Sequence, residues 1–197
     1  MPSIHILVFD GFDELDALAP FEVLQTAVGY GAPFEVALVS AAAAVTAAHG
    51  LVVVPSQTPD TRPAYAIVPG GGWSNRAAQG AWAEAQRGEV AALLTEWHGA
   101  GTLIASVCTG AMLVAATGLL KGKQATTHHA AWADLAAAGV ICQQARVVDI
   151  GQIITASGVT AGLDLALWLI ERLVGASLAL QVEQELEYER RGTVWRL

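Results

Sequence analysis

The sequence predicts an α/β protein in which a mostly parallel, doubly wound sheet is covered by helices on both faces and carries one small β-hairpin. Two observations carry this. Short apolar runs alternate with longer segments whose apolar residues recur at helical spacing. The short runs are also apolar on both sides, as strands buried beneath two helical layers must be. No repeat or low-complexity linker divides the chain, so residues 1–197 read as one domain.

The elements follow in order. Ile4-His5-Ile6-Leu7-Val8-Phe9 is a buried first strand ending at Asp10-Gly11. A helix starts near Asp13 and stops at Gly29-Tyr30-Gly31, and Pro20 suggests a first turn later than Asp13. Phe34 to Val39 is the second strand. Val45–Ala47 and Leu51–Val54 flank His49-Gly50 as a hairpin. Tyr65 to Pro69 is a strand running into Gly70-Gly71-Gly72, and Ala81 to His98 is a helix closed by Gly99. Leu103 to Val107 is a strand, and Thr109 to Thr117 is a helix rich in small residues. A helix at Ala131–Ala138 and strands at Arg146–Ile150 and Ile153–Ala156 come next. Helices at Thr160–Val174 and Ser177–Tyr188 close the pattern, with Ser177 suited to an N-cap.

Composition narrows the function. The 197 residues can bury roughly 70% of their unfolded surface. With 54% hydrophobic and 14% charged residues the chain is not disordered. Ten Lys and Arg stand against eighteen Asp and Glu, a net charge of −8, which argues against a nucleic-acid partner. Cys108 and Cys142 make neither a disulfide framework nor a four-cysteine zinc site. The first residues lack the basic region of a signal peptide, and no apolar run is long enough to span a membrane, so a cytoplasmic location is expected. No Gly-Lys-Ser/Thr follows the glycine turn and no G-x-G-x-x-G opens a helix, so no nucleotide cofactor is expected.

The chemistry concentrates where strands pass into helices, because ligands of such sheets sit at the carboxyl ends of the strands. Cys108 stands between a buried strand and a small-residue helix in Ala105-Ser106-Val107-Cys108-Thr109-Gly110-Ala111. This is the layout of a nucleophile elbow, where a sharp turn exposes the side chain. The helix start would lower the thiol pKa by at most about 1.5 units and leave a mixed thiol–thiolate population. Cys108 as a small buried hydrophobe is the competing reading. The N–H groups of Gly70, Gly71 and Gly72 suit an oxyanion hole or a phosphate. Asp16 lies in the first turn of the first helix, where most carboxylates are merely solvated; Asp13 and Glu14 are read that way. Thr126-Thr127-His128-His129 follows a possible strand, and without a carboxylate or thiol at ligand spacing the histidines line a site rather than bind metal. Cys142 reads as core filler.

These pieces, in this order, resemble the ThiJ/PfpI superfamily, with its class I glutamine-amidotransferase-like, flavodoxin-like three-layer sandwich. The resemblance covers nearly the whole chain. It rests on Glu14-Leu15-Asp16, Val68-Pro69-Gly70-Gly71, the Cys108 elbow, Thr126-Thr127-His128 and Gly158-Val159-Thr160-Ala161-Gly162. Within it the chain is most similar to the isocyanide hydratase branch, through Leu15-Asp16 ahead of Pro20, Ser106-Val107-Cys108-Thr109-Gly110, Gly118-Leu119-Leu120-Lys121-Gly122 and Leu186-Glu187-Tyr188. The resemblance implies Cys108 as nucleophile, Asp16 as the acid beside its sulfur and Thr109 as a neighbouring hydroxyl. Gly71, Gly72 and His128 would face the substrate, a small molecule, with neither cofactor nor metal. It also implies a homodimer. His129 departs from the aromatic residue usual in the hydratase branch. Branches with peptidase-like activity place His after the cysteine; here Thr109 stands there and cannot accept a proton at neutral pH. A cysteine redox sensor of the same superfamily, or a hydrolase acting on another small electrophile, would use the same elbow.

Overall fold

The computed structural model describes residues 1–59 and 62–197. In chain order the first elements are β1 (Ser3–Leu7), α1 (Glu14–Gly29), β2 (Glu35–Val39), β3 (Val45–Thr46), β4 (Val52–Val53), β5 (Tyr65–Val68), α2 (Ala81–Arg87), α3 (Glu89–Gly99) and β6 (Leu103–Val107). There follow α4 (Gly110–Ala116), β7 (Gln124–Ala125), α5 (Trp132–Ala137), β8 (Ile141–Cys142), β9 (Val147–Asp149), β10 (Ile153–Ala156), α6 (Ala161–Leu173), α7 (Ala176–Glu185) and β11 (Trp195–Arg196).

Seven strands form the central sheet in the order β11-β9-β10-β6-β5-β1-β2. From β2 to β10 every pairing is parallel, and β9 runs antiparallel to β10. Helices α1, α6 and α7 pack together on one face, and α2, α3 and α4 on the other. This is the expected flavodoxin-like three-layer sandwich. Its strands are apolar because both faces are covered: Ile4, Ile6, Ile67, Ile104 and Ile154 are all fully buried. The central strand β6 delivers Cys108 to the carboxyl edge of the sheet, beside the turns that follow β1 and β5.

Four expectations need correction. α1 begins at Glu14, so Pro20 lies inside the helix rather than in its first turn. The proline ring faces α6, and a Cβ on Gly162 would come within 3.2 Å of Pro20 Cδ; this close approach offsets the lost backbone hydrogen bond. The long helix over 81–98 is two helices, because Gly88 takes a left-handed conformation (φ 79°) that ends α2 and starts α3. α7 begins at Ala176 with Gly175 at its cap and no side-chain cap, so Ser177 is an ordinary first-turn residue. The hairpin of β3 and β4 is present, but β7 and β8 form a second small pair that is parallel. Cys142 sits half-buried on β8, packed against the edge of the core, with its thiol donating to Trp132 O at 3.5 Å.

Candidate active site

Cys108 occupies a sharp turn. Its φ of 55° lies in the left-handed region that costs a non-glycine residue about 1–2 kcal/mol. Three hydrogen bonds hold it there. The Cys108 N–H donates to Ala156 O at 3.1 Å and Ser157 O at 2.8 Å, and the Thr127 hydroxyl donates to Cys108 O at 2.8 Å. The next turn needs glycine: a Cβ on Gly110 would collide with Val68 O. The side chain is 7% exposed. The sulfur faces two backbone donors, the N–H groups of Thr109 and of Val159. Val159 is itself held at a φ of 46°.

Asp16 is brought to the thiol by a reciprocal lock between two loops. The Asp13 N–H donates to Gly70 O at 2.9 Å, and the Gly70 N–H donates to Asp16 Oδ2 at 2.9 Å. Asp13 caps α1 by accepting the Leu15 N–H at 3.2 Å. The carboxyl of Asp16 is fully buried, and its Oδ1 makes no hydrogen bond among the described residues. Beside the Gly70 N–H, the neighbouring group that favours its ionised form is the Cys108 thiol. Asp16 is thus no solvated first-turn carboxylate.

The two groups push each other toward their neutral forms. Burial raises the Asp16 carboxyl well above the ordinary carboxylate range and the charge of Asp13 adds to it, against the Gly70 and Cys108 hydrogen bonds. Burial also pushes the Cys108 thiol up, with the Asp16 charge next, against the Thr109 and Val159 N–H groups. The mixed thiol–thiolate population expected from the helix start is therefore overturned. α4 has only seven residues, and its end cannot offset desolvation of a thiol this enclosed. The pair titrates as a unit and rests protonated at sulfur.

The glycine turn has a different task from the one expected. The Gly70 N–H belongs to Asp16, and the Gly71 N–H donates to Thr109 Oγ1 at 3.0 Å. Thr109 is thereby fixed beside Cys108, and Gly71 acts through it. Gly72 turns back on Gln79, its carbonyl accepting the Ala77 N–H. The donors turned toward the sulfur come instead from Thr109 and Val159, the latter on the far side of the elbow.

His128 lies against the turn that carries Val159. A cavity of about 400 Å³ is lined by Thr127, His128, Gln144, Arg146, Gly158 and Val159, among others. The His128 ring packs on Gly158, where a Cβ would come within 2.5 Å of it. Its Nδ1 accepts the Ala130 N–H at 3.2 Å, so a neutral ring carries its proton on Nε2. Burial lowers its pKa, with the neighbouring His129 contributing. The charge of Asp13 reaches both Cys108 and His128. Among the described residues no group of three or more His, Cys, Asp or Glu is placed to hold a metal ion, and no helix is long and apolar enough to cross a membrane.

Three contributors act in roles that their residue types do not mark. Val159 and Gly70 act through backbone N–H groups, and the Thr127 hydroxyl fixes the elbow from a loop nineteen positions away. Glu14, expected to be solvated, binds His49 of the β3–β4 hairpin, with Nδ1 to Oε2 at 2.6 Å.

A cysteine held at positive φ between a central parallel strand and a short helix, with a buried acid at its sulfur, defines a class of α/β proteins with an elbow thiol. Residues 2–172 match the DJ-1/PfpI family. The chain belongs to that family. It is similar to the isonitrile hydratase of Pseudomonas putida, 35% identical over 189 residues, covering 94% of this chain and 78% of the relative. It is also similar to the Parkinson disease protein 7 homolog of Danio rerio, 27% identical over 187 residues, covering 92% and 94%. Among solved structures, a ThiJ/PfpI family protein from Pseudomonas syringae matches with a TM-score of 0.84 and 31% identity, over 97% of this chain and 76% of the other.

Proposed function

We propose that the protein is a cysteine-dependent hydratase that adds water to a small isocyanide and releases an N-formamide. The observation that carries this is the buried Asp16 carboxyl, raised toward its protonated form, against the Cys108 thiol, with Thr109 where a basic residue would stand. Such a pair holds a proton beside sulfur but offers no base of the kind peptide hydrolysis needs. The similarity to isonitrile hydratase supports the same substrate class, isonitrile and isocyanide being one functional group.

The chemistry runs in three steps. As the Cys108 sulfur bonds to the terminal isocyanide carbon, the protonated Asp16 carboxyl gives its proton to that carbon and takes up the thiol proton in exchange. This leaves a thioimidate with a new C–S and a new C–H bond and Asp16 again protonated. Thr109 and Val159 N–H groups steady the charge on sulfur while it is present. Water then bonds to the C=N carbon as Asp16 gives a proton to nitrogen and takes one from the water. The C–S bond breaks, and the remaining hydroxyl proton passes to the departing sulfur as the formamide carbonyl forms. The sum is one isocyanide plus one water to one N-formamide, with the enzyme unchanged. A protonated carboxyl is required, since an ionised one would repel the thiolate. The work is assigned to the cytoplasm, where the two unpaired cysteines stay reduced.

The test is turnover of an alkyl and an aryl isocyanide, followed by infrared loss of the isocyanide and appearance of the formamide. Wild type should convert many equivalents and Cys108→Ser none. Stoichiometric oxidation of Cys108 without formamide would replace the hydratase with a redox protein.

A further inference from the structure

We infer that the cavity between α6 and the C-terminal segment is a binding site for a small dianion of the phosphate class. It has a volume of about 260 Å³ and is separate from the elbow. Four arginines line it: Arg146, Arg190, Arg191 and Arg196. The whole chain has only ten basic residues against eighteen acidic ones, so this concentration runs against its overall charge.

Two of the four are already committed. Arg146 Nε donates to Asp164 Oδ2 at 2.7 Å, and Arg190 pairs with Glu171 at 2.5 Å and Glu183 at 3.0 Å. The other two guanidinium groups have no carboxylate partner among the described residues. Arg191 contributes its backbone N–H to Asp164 Oδ1, leaving its side chain unpaired, and Arg196 lies over the Trp168 ring at 5.3 Å. Asp164 and Glu171 are the acidic residues of the lining, and Glu183 reaches Arg190 from outside it, so the charge left for a ligand is that of the two guanidinium groups of Arg191 and Arg196. Thr193 adds a hydroxyl, next to Gly192 in the turn before β11. A tetrahedral oxyanion with two charges matches both these two guanidinium groups and the mixture of planar forks and a hydroxyl donor. A single chloride-like charge would satisfy neither.

The assay is calorimetric titration of the full chain with inorganic phosphate and with phenyl phosphate, each at constant ionic strength balanced with chloride. Both should bind saturably, so the phosphoryl dianion and not its organic group is recognised; saturation by phenyl phosphate alone would reassign the site to an aromatic ligand. Arg191→Ala and Arg196→Ala should each weaken binding by roughly tenfold, the loss of one charge-assisted contact. Both side chains are exposed, so these variants should keep the wild-type circular dichroism and melting behaviour without phosphate. Arg146 is left intact because it also lines the cavity at His128 and Val159. Phenyl phosphate should bind more weakly as it loses its second charge near about pH 6. No heat above the chloride control, or binding unchanged in both variants, would overturn the assignment.

Discussion

Replacing Asp16 with Asn separates the acid from the fold. Asn keeps an oxygen for the Gly70 N–H, which now meets Asp16 Oδ2 at 2.9 Å, and it nearly preserves volume in a fully buried site. It cannot give up a proton. Turnover should therefore fall by about 10²–10⁴-fold, the range expected for a general acid, with little change in substrate binding. Stability should move the other way. The folded carboxyl is raised above its unfolded value of about 3.9, so between those two values the native state holds a proton that the unfolded state has lost. Across that window wild type loses about 1.4 kcal/mol per pH unit as pH rises, and the loss persists above it. The Asn variant has no such term, so its advantage over wild type should grow with pH across the window. Urea unfolding at a series of pH values, paired with the formamide assay, reads both effects. An Asn variant as active as wild type, with a parallel stability profile, would falsify the role given to the buried acid.

Other consequences can be checked separately. The Asp16 charge is the second cause holding the Cys108 thiol up, so in Asp16→Asn alkylation of Cys108 should begin at lower pH than in wild type even though turnover is lost; mass mapping of iodoacetamide adducts follows it. Thr109→Val removes the acceptor of the Gly71 N–H and should cost about 1–3 kcal/mol in denaturant unfolding, with Thr109→Ser restoring most of it. Gly110→Ala drives a methyl group into Val68 O and should destabilise the chain by about 3 kcal/mol or prevent its folding, read by the same unfolding experiment. The Glu14 carboxylate raises the His49 pKa above 6.5, so Glu14→Gln should return that histidine's NMR titration toward its ordinary midpoint. A chain with 14% charged residues is expected to cover apolar surface by self-association, and sedimentation at micromolar concentration should show a homodimer.

The sequence by itself determined the layered architecture and the place of the elbow cysteine. Apolar runs without alternation can be buried on both faces only in a covered parallel sheet, and the strand–Cys–small-residue sequence at 103–116 shows where a side chain is turned outward. Those features are local or periodic, so a linear reading reaches them. Helix ends were less legible: the break at Gly88 and the interior place of Pro20 depend on what packs opposite, Gly162 in the second case. The chemistry of the site depended on distance in space. Whether Asp16 is a solvated helix-start carboxylate or a buried acid turns on Gly70, which is remote in sequence and donates to it at 2.9 Å. The direction of the Cys108 titration likewise had the wrong sign when judged from a helix end alone. Enclosure of the sulfur beside Asp16 decides it, and enclosure is made by segments from four parts of the chain: the starts of α1 and α4, the Thr127 loop and the Val159 turn. Backbone donors such as Val159 N–H are present in every residue but proline, so no residue type marks the one that points at sulfur; only the tertiary fold selects it.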